Sequence, residues 1–320
     1  MCPLTIGKLK AMPGETVSGP VRVPGTGLAL PVTIIRGEKA GPAALISAGI
    51  HPSEYVGIAA LQELAEELSP ADLRGDLILI RLMNPTGFER RARSAVPEDG
   101  KNLNRVFPGS PAGTASERIA HAVSSEFFPR AAFYVDLHSG DACESLVPMI
   151  FSAGKCEPRV ASASREMAEA ADARYLVVSQ WPSGQAYGHA AASGIPAILL
   201  ERGQLGLWSR EEAELCKADV RRILARIGLY RGAAPPPRRH RPRRLRQVGQ
   251  LECPATGLWY PERTAGDRVR SGRPAGEIRD LYGKLLAVPK FAFDGVILYQ
   301  NESLSAVEGE SLVTYGGDPE

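Results

Sequence analysis

A histidine and a glutamate stand three residues apart in Gly49-Ile50-His51-Pro52-Ser53-Glu54. An imidazole nitrogen and a carboxylate oxygen are two of the ligand types that zinc takes, at roughly 2.0–2.2 Å, and a catalytic zinc needs three protein ligands with a position left for water. Spaced across a turn, His51 and Glu54 can point at one object, so the stretch is a candidate for two-thirds of such a site. The competing reading is structural: Ser53 and Glu54 would cap and charge the N-terminus of the helix that follows. A third ligand elsewhere in a matching context decides between the two.

The elements around the pair place it. Ala43-Ala44-Leu45-Ile46 reads as a buried strand, and residues 56–68 carry apolar side chains at helical spacing. Residues 77–83 are a nearly continuous apolar run, which predicts a strand covered on both faces. Strand, helix and strand make a βαβ unit, and ligands of such sheets gather at the carboxyl ends of the strands. Asn84-Pro85-Thr86-Gly87-Phe88 reads as a turn, followed by a polar loop over residues 89–104 with little periodicity. A structureless stretch of that length points to function, and this one offers Arg93, Asp99, Asn104 and the adjoining Arg105. An amphipathic helix is expected over 116–128, a third strand over 131–137 ending at His138, a further helix over 160–173, and a fourth strand over 194–201 ending in Glu201. Three strands therefore finish in His51 with Glu54, in His138, and in Glu201. Ahead of them, residues 15–37 alternate as an antiparallel edge of two or three strands.

Composition excludes several classes. The chain has 320 residues, enough for two domains, and a net charge of +2 that becomes −4 once the six arginines between positions 238 and 246 are set aside. No global basic field suggests nucleic acid. That cluster follows Ala233-Ala234-Pro235-Pro236-Pro237 and lacks interleaved aromatics, so it reads as a solvated linker rather than an RNA or membrane patch. Five scattered cysteines without a CxxC pair argue for a reducing compartment. No run of 18 apolar residues and no apolar leader near Met1 is present, and a cytoplasmic location without membrane contact is expected. The final 70 residues read as short strands punctuated by glycine, with a spacing similar to the barrel-sandwich of carrier domains but without a modifiable lysine motif beyond Leu281-Tyr282-Gly283-Lys284. The expected division is a hydrolase domain over 1–230, a Pro/Arg-rich linker over 231–250 and an all-β domain over 251–320 with a lid or assembly role.

Five blocks occur in order: Gly49-Ile50-His51-Pro52-Ser53-Glu54; Asn84-Pro85-Thr86-Gly87-Phe88 with Arg93; Asp99-Gly100-Lys101-Asn102-Leu103-Asn104-Arg105-Val106-Phe107-Pro108-Gly109; Asp136-Leu137-His138-Ser139-Gly140; and Leu200-Glu201-Arg202-Gly203. Together they resemble the succinylglutamate desuccinylase and aspartoacylase family, which shares its fold with M14-type zinc carboxypeptidases. The resemblance implies an α/β fold with a mixed central sheet flanked by helices, and the C-terminal β domain suits the longer members. It implies one zinc ion per chain held by His51, Glu54 and His138, with Glu201 as general base and Arg93 beside the scissile carbonyl. Asn104 and Arg105 would bind the substrate carboxylate, and Tyr187, 14 residues before Glu201, matches an active-site tyrosine. Two departures stand out: His51-Pro52-Ser53-Glu54 replaces the usual His-Gly-Asp-Glu, and Ala191 occupies the place of an arginine found in aspartoacylases of acidic substrates. Preference for an acidic side chain therefore does not carry over.

The expected activity is a zinc-dependent deacylase hydrolysing the amide of a small N-acyl amino acid or related amide, with a homo-oligomer allowed. Two rivals are a carboxypeptidase acting on peptides and a non-catalytic zinc protein whose β domain serves assembly. A cleft capped by that domain favours small substrates over peptides, and Glu201 argues against the non-catalytic rival.

Overall fold

The computed structural model describes residues 2–180, 184–245 and 247–317. Its frame is a nine-stranded mixed sheet. In spatial order the strands are Arg243–Arg244, Tyr175–Ser179, Met149–Ala153, Ala197–Glu201, Phe133–His138, Lys39–Ala48, Arg74–Ile80, Ala29–Arg36 and Thr16–Arg22. The centre is parallel: Lys39–Ala48 lies between Arg74–Ile80 and Phe133–His138, and Phe133–His138 pairs onward with Ala197–Glu201. The helix Tyr55–Glu67 connects the first two of these, so the expected βαβ unit is present. Antiparallel strands extend both sides, Ala29–Arg36 and Thr16–Arg22 at one edge and Met149–Ala153 against Ala197–Glu201 at the other.

Successive side chains of a strand alternate between faces, and both faces are covered. Ile46, Leu77, Leu79, Val135, Leu137, Ile198 and Leu200 pack against the helices Tyr55–Glu67 and Arg210–Arg226. Leu45, Ile78, Ile80, Tyr134 and Leu199 face a second layer that includes Phe107, Ile119, Phe127, Phe128 and Tyr187. The same alternation sends Asp136, His138 and Glu201 to the side of Tyr134 and Leu199. Strand ends on that side are where the functional side chains meet.

Several local expectations change in detail. Asn84 to Phe88 is more than a turn: Pro85–Glu89 is a short helix, with Asn84 Oδ1 accepting from the Gly87 N–H at 3.0 Å. Proline at the first helical position loses no hydrogen bond there, which is why a turn-like sequence can start a helix. The helix expected over 116–128 is α-helical only over Ala115–Ala122, then widens to a π turn over Val123–Phe127 and closes as a 3-10 turn over Phe128–Arg130, where Pro129 has no N–H to continue the ladder. The helix expected over 160–173 spans Pro158–Ala168. The polar loop is irregular apart from a bridge between Ala95 and Asn102 and a turn of 3-10 helix over Leu103–Arg105. The hairpin Leu4–Ile6 with Leu9–Ala11, the strands Met149–Ala153 and Tyr175–Ser179, and the helices Ala186–Ala192 and Arg210–Arg226 carry no expectation above.

Within the Pro/Arg-rich segment the arginine side chains Arg238, Arg239, Arg241, Arg243 and Arg244 are exposed, while the backbone is tied to the sheet. Arg243–Arg244 pairs in parallel with Tyr175 and Leu176, and the His240 N–H donates to Asp172 Oδ1 at 2.7 Å. Arg246 lies outside the described residues. Beyond it two antiparallel sheets enclose Trp259, Ile278, Phe291, Ile297 and Tyr315. One of them takes in Glu144–Leu146 from the first part of the chain, which pairs with Gly295–Asn301. The C-terminal strands are thus joined to the main body by backbone hydrogen bonds. All five cysteines are free, and no helix among the described residues is long and apolar enough to cross a membrane.

Candidate metal centre and active site

Gly49 starts the turn that carries the first pair of side chains. Its φ of +67° is left-handed, and a Cβ there would sit 2.5 Å from Leu82 Cδ1, so only glycine fits. Glu54 occupies the N-cap position of Tyr55–Glu67 but makes no side-chain cap bond. Its carboxylate turns away from the helix, with Oε1 2.6 Å from His51 Nδ1 and Oε2 2.9 Å from His138 Nδ1. Oε2 also accepts from the Ser139 N–H at 3.2 Å. Ser53, the other capping candidate, donates its hydroxyl to the Arg93 carbonyl at 2.8 Å and so anchors the polar loop over the site.

His51, Glu54 and His138 each bring one ligand atom within 4.8 Å of the others, and the group could hold a metal ion. The far nitrogens support that use. His51 Nε2 is 3.2 Å from Asn102 Oδ1, and His138 Nε2 is 3.2 Å from Asp136 Oδ2, although without hydrogen-bond alignment in the second case. An imidazole whose Nε2–H faces an oxygen keeps its Nδ1 lone pair free, and here both lone pairs aim at the Glu54 carboxylate, which is itself an acceptor. Two lone pairs and a carboxylate converging at under 3 Å need positive charge between them, from protons or from a cation. The titration tendencies agree. Burial pushes the Glu54 carboxyl up, but His138 and His51 outweigh it and hold it at about 2. For His138, burial favours the neutral ring, yet Glu54 and Asp136 drive its pKa well above the usual imidazole range.

Glu201 is the register partner of His138 on the neighbouring parallel strand. Its Oε2 is buried without a hydrogen-bond partner among the described residues. Burial raises its pKa to about 8, aided by the negative charges of Glu54, Glu144 and Asp136 and opposed by His138. Gly203, at φ +88°, turns the chain away immediately after, where a Cβ would meet Val56 Cγ2 at 2.4 Å. Arg202, 1% exposed, braces this strand end by donating from Nη2 to Asp219 Oδ2 at 2.7 Å and to the Asp172 carbonyl at 2.6 Å.

These groups open into a cavity of about 670 Å³. Arg93, Asn104, Arg105 and Tyr187 line it together with His51, Glu54, His138 and Glu201, so the eight side chains given a role by the family resemblance reach one chamber; Asp99 does not, and instead accepts from the Ser116 N–H at 2.8 Å and its hydroxyl at 2.7 Å. Arg93 donates from Nε to Asp141 Oδ2 at 2.5 Å. Asn104 is buried and spends its Oδ1 on the Ala186 N–H at 2.9 Å, which fixes the start of the helix carrying Tyr187. Arg105 donates to the Asn104 carbonyl at 2.9 Å and is otherwise exposed to the chamber. Ala191 is buried on the Tyr187 helix and does not line the cavity.

Some residues of the site carried no signal read in advance. Asp136 is fully buried and receives a hydrogen bond from Ser47 Oγ at 2.7 Å. Its place two residues before His138, hence on the same face, is the clue that was available. Asp141, Glu144 and Ser139 follow His138 closely in sequence and line the chamber. Gln250, Tyr299, Glu310 and Ser311 reach it from the C-terminal strands, and nothing local in their sequence marks them.

The succinylglutamate desuccinylase/aspartoacylase catalytic-domain model matches residues 40–227, and the chain belongs to that family. Among characterised relatives it is similar to the N-alpha-acetyl-L-2,4-diaminobutyric acid deacetylase of Halomonas elongata, with 28% identity over 292 residues covering 88% of this chain and 84% of the relative. Among solved structures it superposes on a succinylglutamate desuccinylase/aspartoacylase from Rhodobacter sphaeroides with a TM-score of 0.85 at 25% identity, covering 95% of this chain and 96% of that one. The fold is also that of the product-bound ectoine utilization protein EutE (DoeB) from Ruegeria pomeroyi, with a TM-score of 0.86 at 24% identity, covering 96% and 98% of the two chains.

Proposed function

We propose that the protein is a zinc-dependent deacylase that hydrolyses the amide of a small N-acyl amino acid, with Glu201 as general base. The observation that carries this reading is the meeting of three metal-capable donors, His51 Nδ1, Glu54 and His138 Nδ1, at strand ends beside a fourth, unpartnered carboxylate. The donor set suits zinc, since two imidazoles and one carboxylate leave a fourth position open. Bound zinc supplies a Lewis acid that polarises the substrate carbonyl and lowers the pKa of water towards about 7.

The chain's own residues do the rest. Glu201 takes a proton from the attacking water on Oε2 and returns it to the departing amine. Arg93, held through Nε by Asp141, keeps its terminal nitrogens for the carbonyl oxygen as charge develops there. Arg105 presents a planar fork to the substrate carboxylate, with Asn104 and Tyr187 shaping the same wall. Asn102 and Asp136 orient the two imidazoles through their outer nitrogens. The named relative's acetylated amino acid supports a small N-acyl substrate. Small substrates are favoured over peptides because Gln250, Tyr299, Glu310 and Ser311 from the C-terminal part of the chain add to the walls of the chamber. We assign residues 1–230 to the hydrolase domain, 231–250 to the linker and 251–320 to a barrel-sandwich domain that completes this wall, in a cytoplasmic enzyme.

The test is hydrolysis of a panel of N-acetyl and N-succinyl amino acids beside dipeptides, with and without chelator, on protein whose zinc content has been measured. Chelator-sensitive hydrolysis of N-acyl amino acids is expected. Cleavage of dipeptides alone, or turnover that survives metal removal, would overturn the reading.

A further inference from the structure

Glu201 Oε2, Ser139 Oγ and Gln185 Oε1 are buried polar atoms of chamber-lining residues, and none has a hydrogen-bond partner among the described residues. Glu201 is accounted for as the base, and a hydroxyl can turn to donate or to accept. An amide oxygen only accepts, so Gln185 Oε1 stays unsatisfied until a ligand brings an N–H or O–H. Gln185 stands at the N-cap position of Ala186–Ala192 with extended backbone, yet its side chain makes no cap bond there. Its neighbours are pinned to the segment that carries Arg105. The Gly184 carbonyl accepts from the Phe107 N–H at 3.1 Å, and the Ala186 N–H donates to Asn104 Oδ1 at 2.9 Å. The two segments run so close that a Cβ on Gly184 would sit 3.0 Å from the Arg105 carbonyl oxygen. Gln185 is thus held on a fixed backbone beside the cation of the same wall.

We propose that Gln185 Oε1 accepts the N–H of the scissile amide while Arg105 holds the carboxylate of the same substrate, which makes Gln185 the residue that selects secondary amides. The proposal rests on the deacylase reading of this chamber and on Arg105 as its carboxylate fork. In an N-acyl amino acid one carbon bears both the N–H and the carboxylate. An acceptor anchored next to the fork therefore meets the N–H whatever the side chain is, and it loses little freedom in doing so. The bond also orients the leaving nitrogen. With its N–H held on Gln185, the lone pair that appears once water has added to the carbonyl carbon is free to face the proton on Glu201. As the C–N bond breaks, its electron pair stays on nitrogen, which takes that proton and departs as the amine; the carbon keeps the water oxygen as a carboxylic acid. An ester oxygen or an N-methylated nitrogen in that place brings no N–H and leaves Gln185 Oε1 unpaired, the arrangement by which a hydrogen-bonding site rejects an analogue.

The experiment measures kcat/KM of zinc-loaded protein on three compounds of one skeleton: N-acetyl-L-alanine, N-acetyl-N-methyl-L-alanine and the ester (S)-2-acetoxypropanoate. The same two replacements are made in whichever N-acetyl amino acid of the panel turns over fastest. Gln185→Met is expected to lower kcat/KM for the secondary amide by about tenfold and to leave the ester within about twofold, as for one hydrogen bond lost from one substrate only. In the natural sequence the N-methyl amide is expected to react at least about tenfold more slowly than the secondary amide, and Gln185→Met should slow it no further. A folded variant that loses amide and ester hydrolysis alike, or keeps both, overturns the role of Gln185 and leaves the deacylase reading standing. Should thermal melts show Gln185→Met to be unfolded, the natural sequence decides: an N-methyl amide hydrolysed as fast as its parent means that no N–H is read. If the natural sequence hydrolyses no member of the panel, both readings fall together.

Discussion

Among the described residues, two groups of side chains bring three metal-capable ligands to one point, and they differ in what fills that point. Glu63, Glu67 and Glu214 surround Lys217 Nζ at 2.6, 2.5 and 2.9 Å. The ammonium, on a side chain 2% exposed, stands where a cation would, and it clamps the helix Arg210–Arg226 to the helix Tyr55–Glu67. His51, Glu54 and His138 converge as tightly with no ammonium or guanidinium among them, since the nearby Arg93 is drawn aside by Asp141. The first group solves its charge problem with the chain's own atoms. The second leaves the problem open, at strand ends, beside a cavity. Clustered ligands are therefore not the functional signal. The missing internal cation is.

The contrast can be broken at either group. The largest effect is expected from His138→Ala, which should drop zinc content to background by elemental analysis and abolish hydrolysis, while Glu67→Gln leaves both unchanged. Retained stoichiometric zinc in the histidine variant would place the metal elsewhere. Glu201→Gln should keep zinc and lose about 10²- to 10⁴-fold in kcat, the range for a positioned proton-transfer group. Arg93→Ala should cost about 10²- to 10³-fold in kcat, as for loss of an oxyanion donor, with zinc retained. Lys217→Met should destabilise the fold by about 1–3 kcal/mol in denaturant titrations with kcat unaffected, less than for a wholly buried pair because the three glutamates keep contact with water.

The smallest effect sharpens the comparison through pH. In metal-free protein Glu201 and Glu144 titrate near 8 and 7, above the ordinary carboxylate value of 4.5. The folded state then holds protons that the unfolded chain releases, so stability is lost as pH rises from about 4.5 to 8. Thermal melts in chelator should show that decline in the natural sequence and a shallower one in Glu201→Gln. Saturating zinc should flatten it, because the cation replaces the protons and binds only the folded state.

How much was readable in advance follows from range. Strand ends after apolar runs, and polar residues directly following them, are local patterns, so His51, Glu54, His138 and Glu201 could be picked from short windows. Pro85–Glu89 was missed as a helix because proline and glycine read as a turn until Asn84 is seen capping it. Met149–Ala153 was missed because four apolar residues and a serine are too few to declare a period. The charge-rich helix Arg210–Arg226 owes its place to tertiary packing against Tyr55–Glu67, and Lys217 is buried only because three glutamates meet it there.

Residue types and their order were enough to determine the family and the central βαβ unit, since each depends on contacts within a few residues or on a run of blocks along the chain. Tertiary structure alone decided that the Glu54 carboxylate abandons its helix for two imidazoles, and that Tyr299 and Glu310 close a chamber begun more than 200 residues earlier. The reason is geometric: which carboxylates share a chamber, and which of them lack a cation, depends on distances across the sheet that no local spacing encodes.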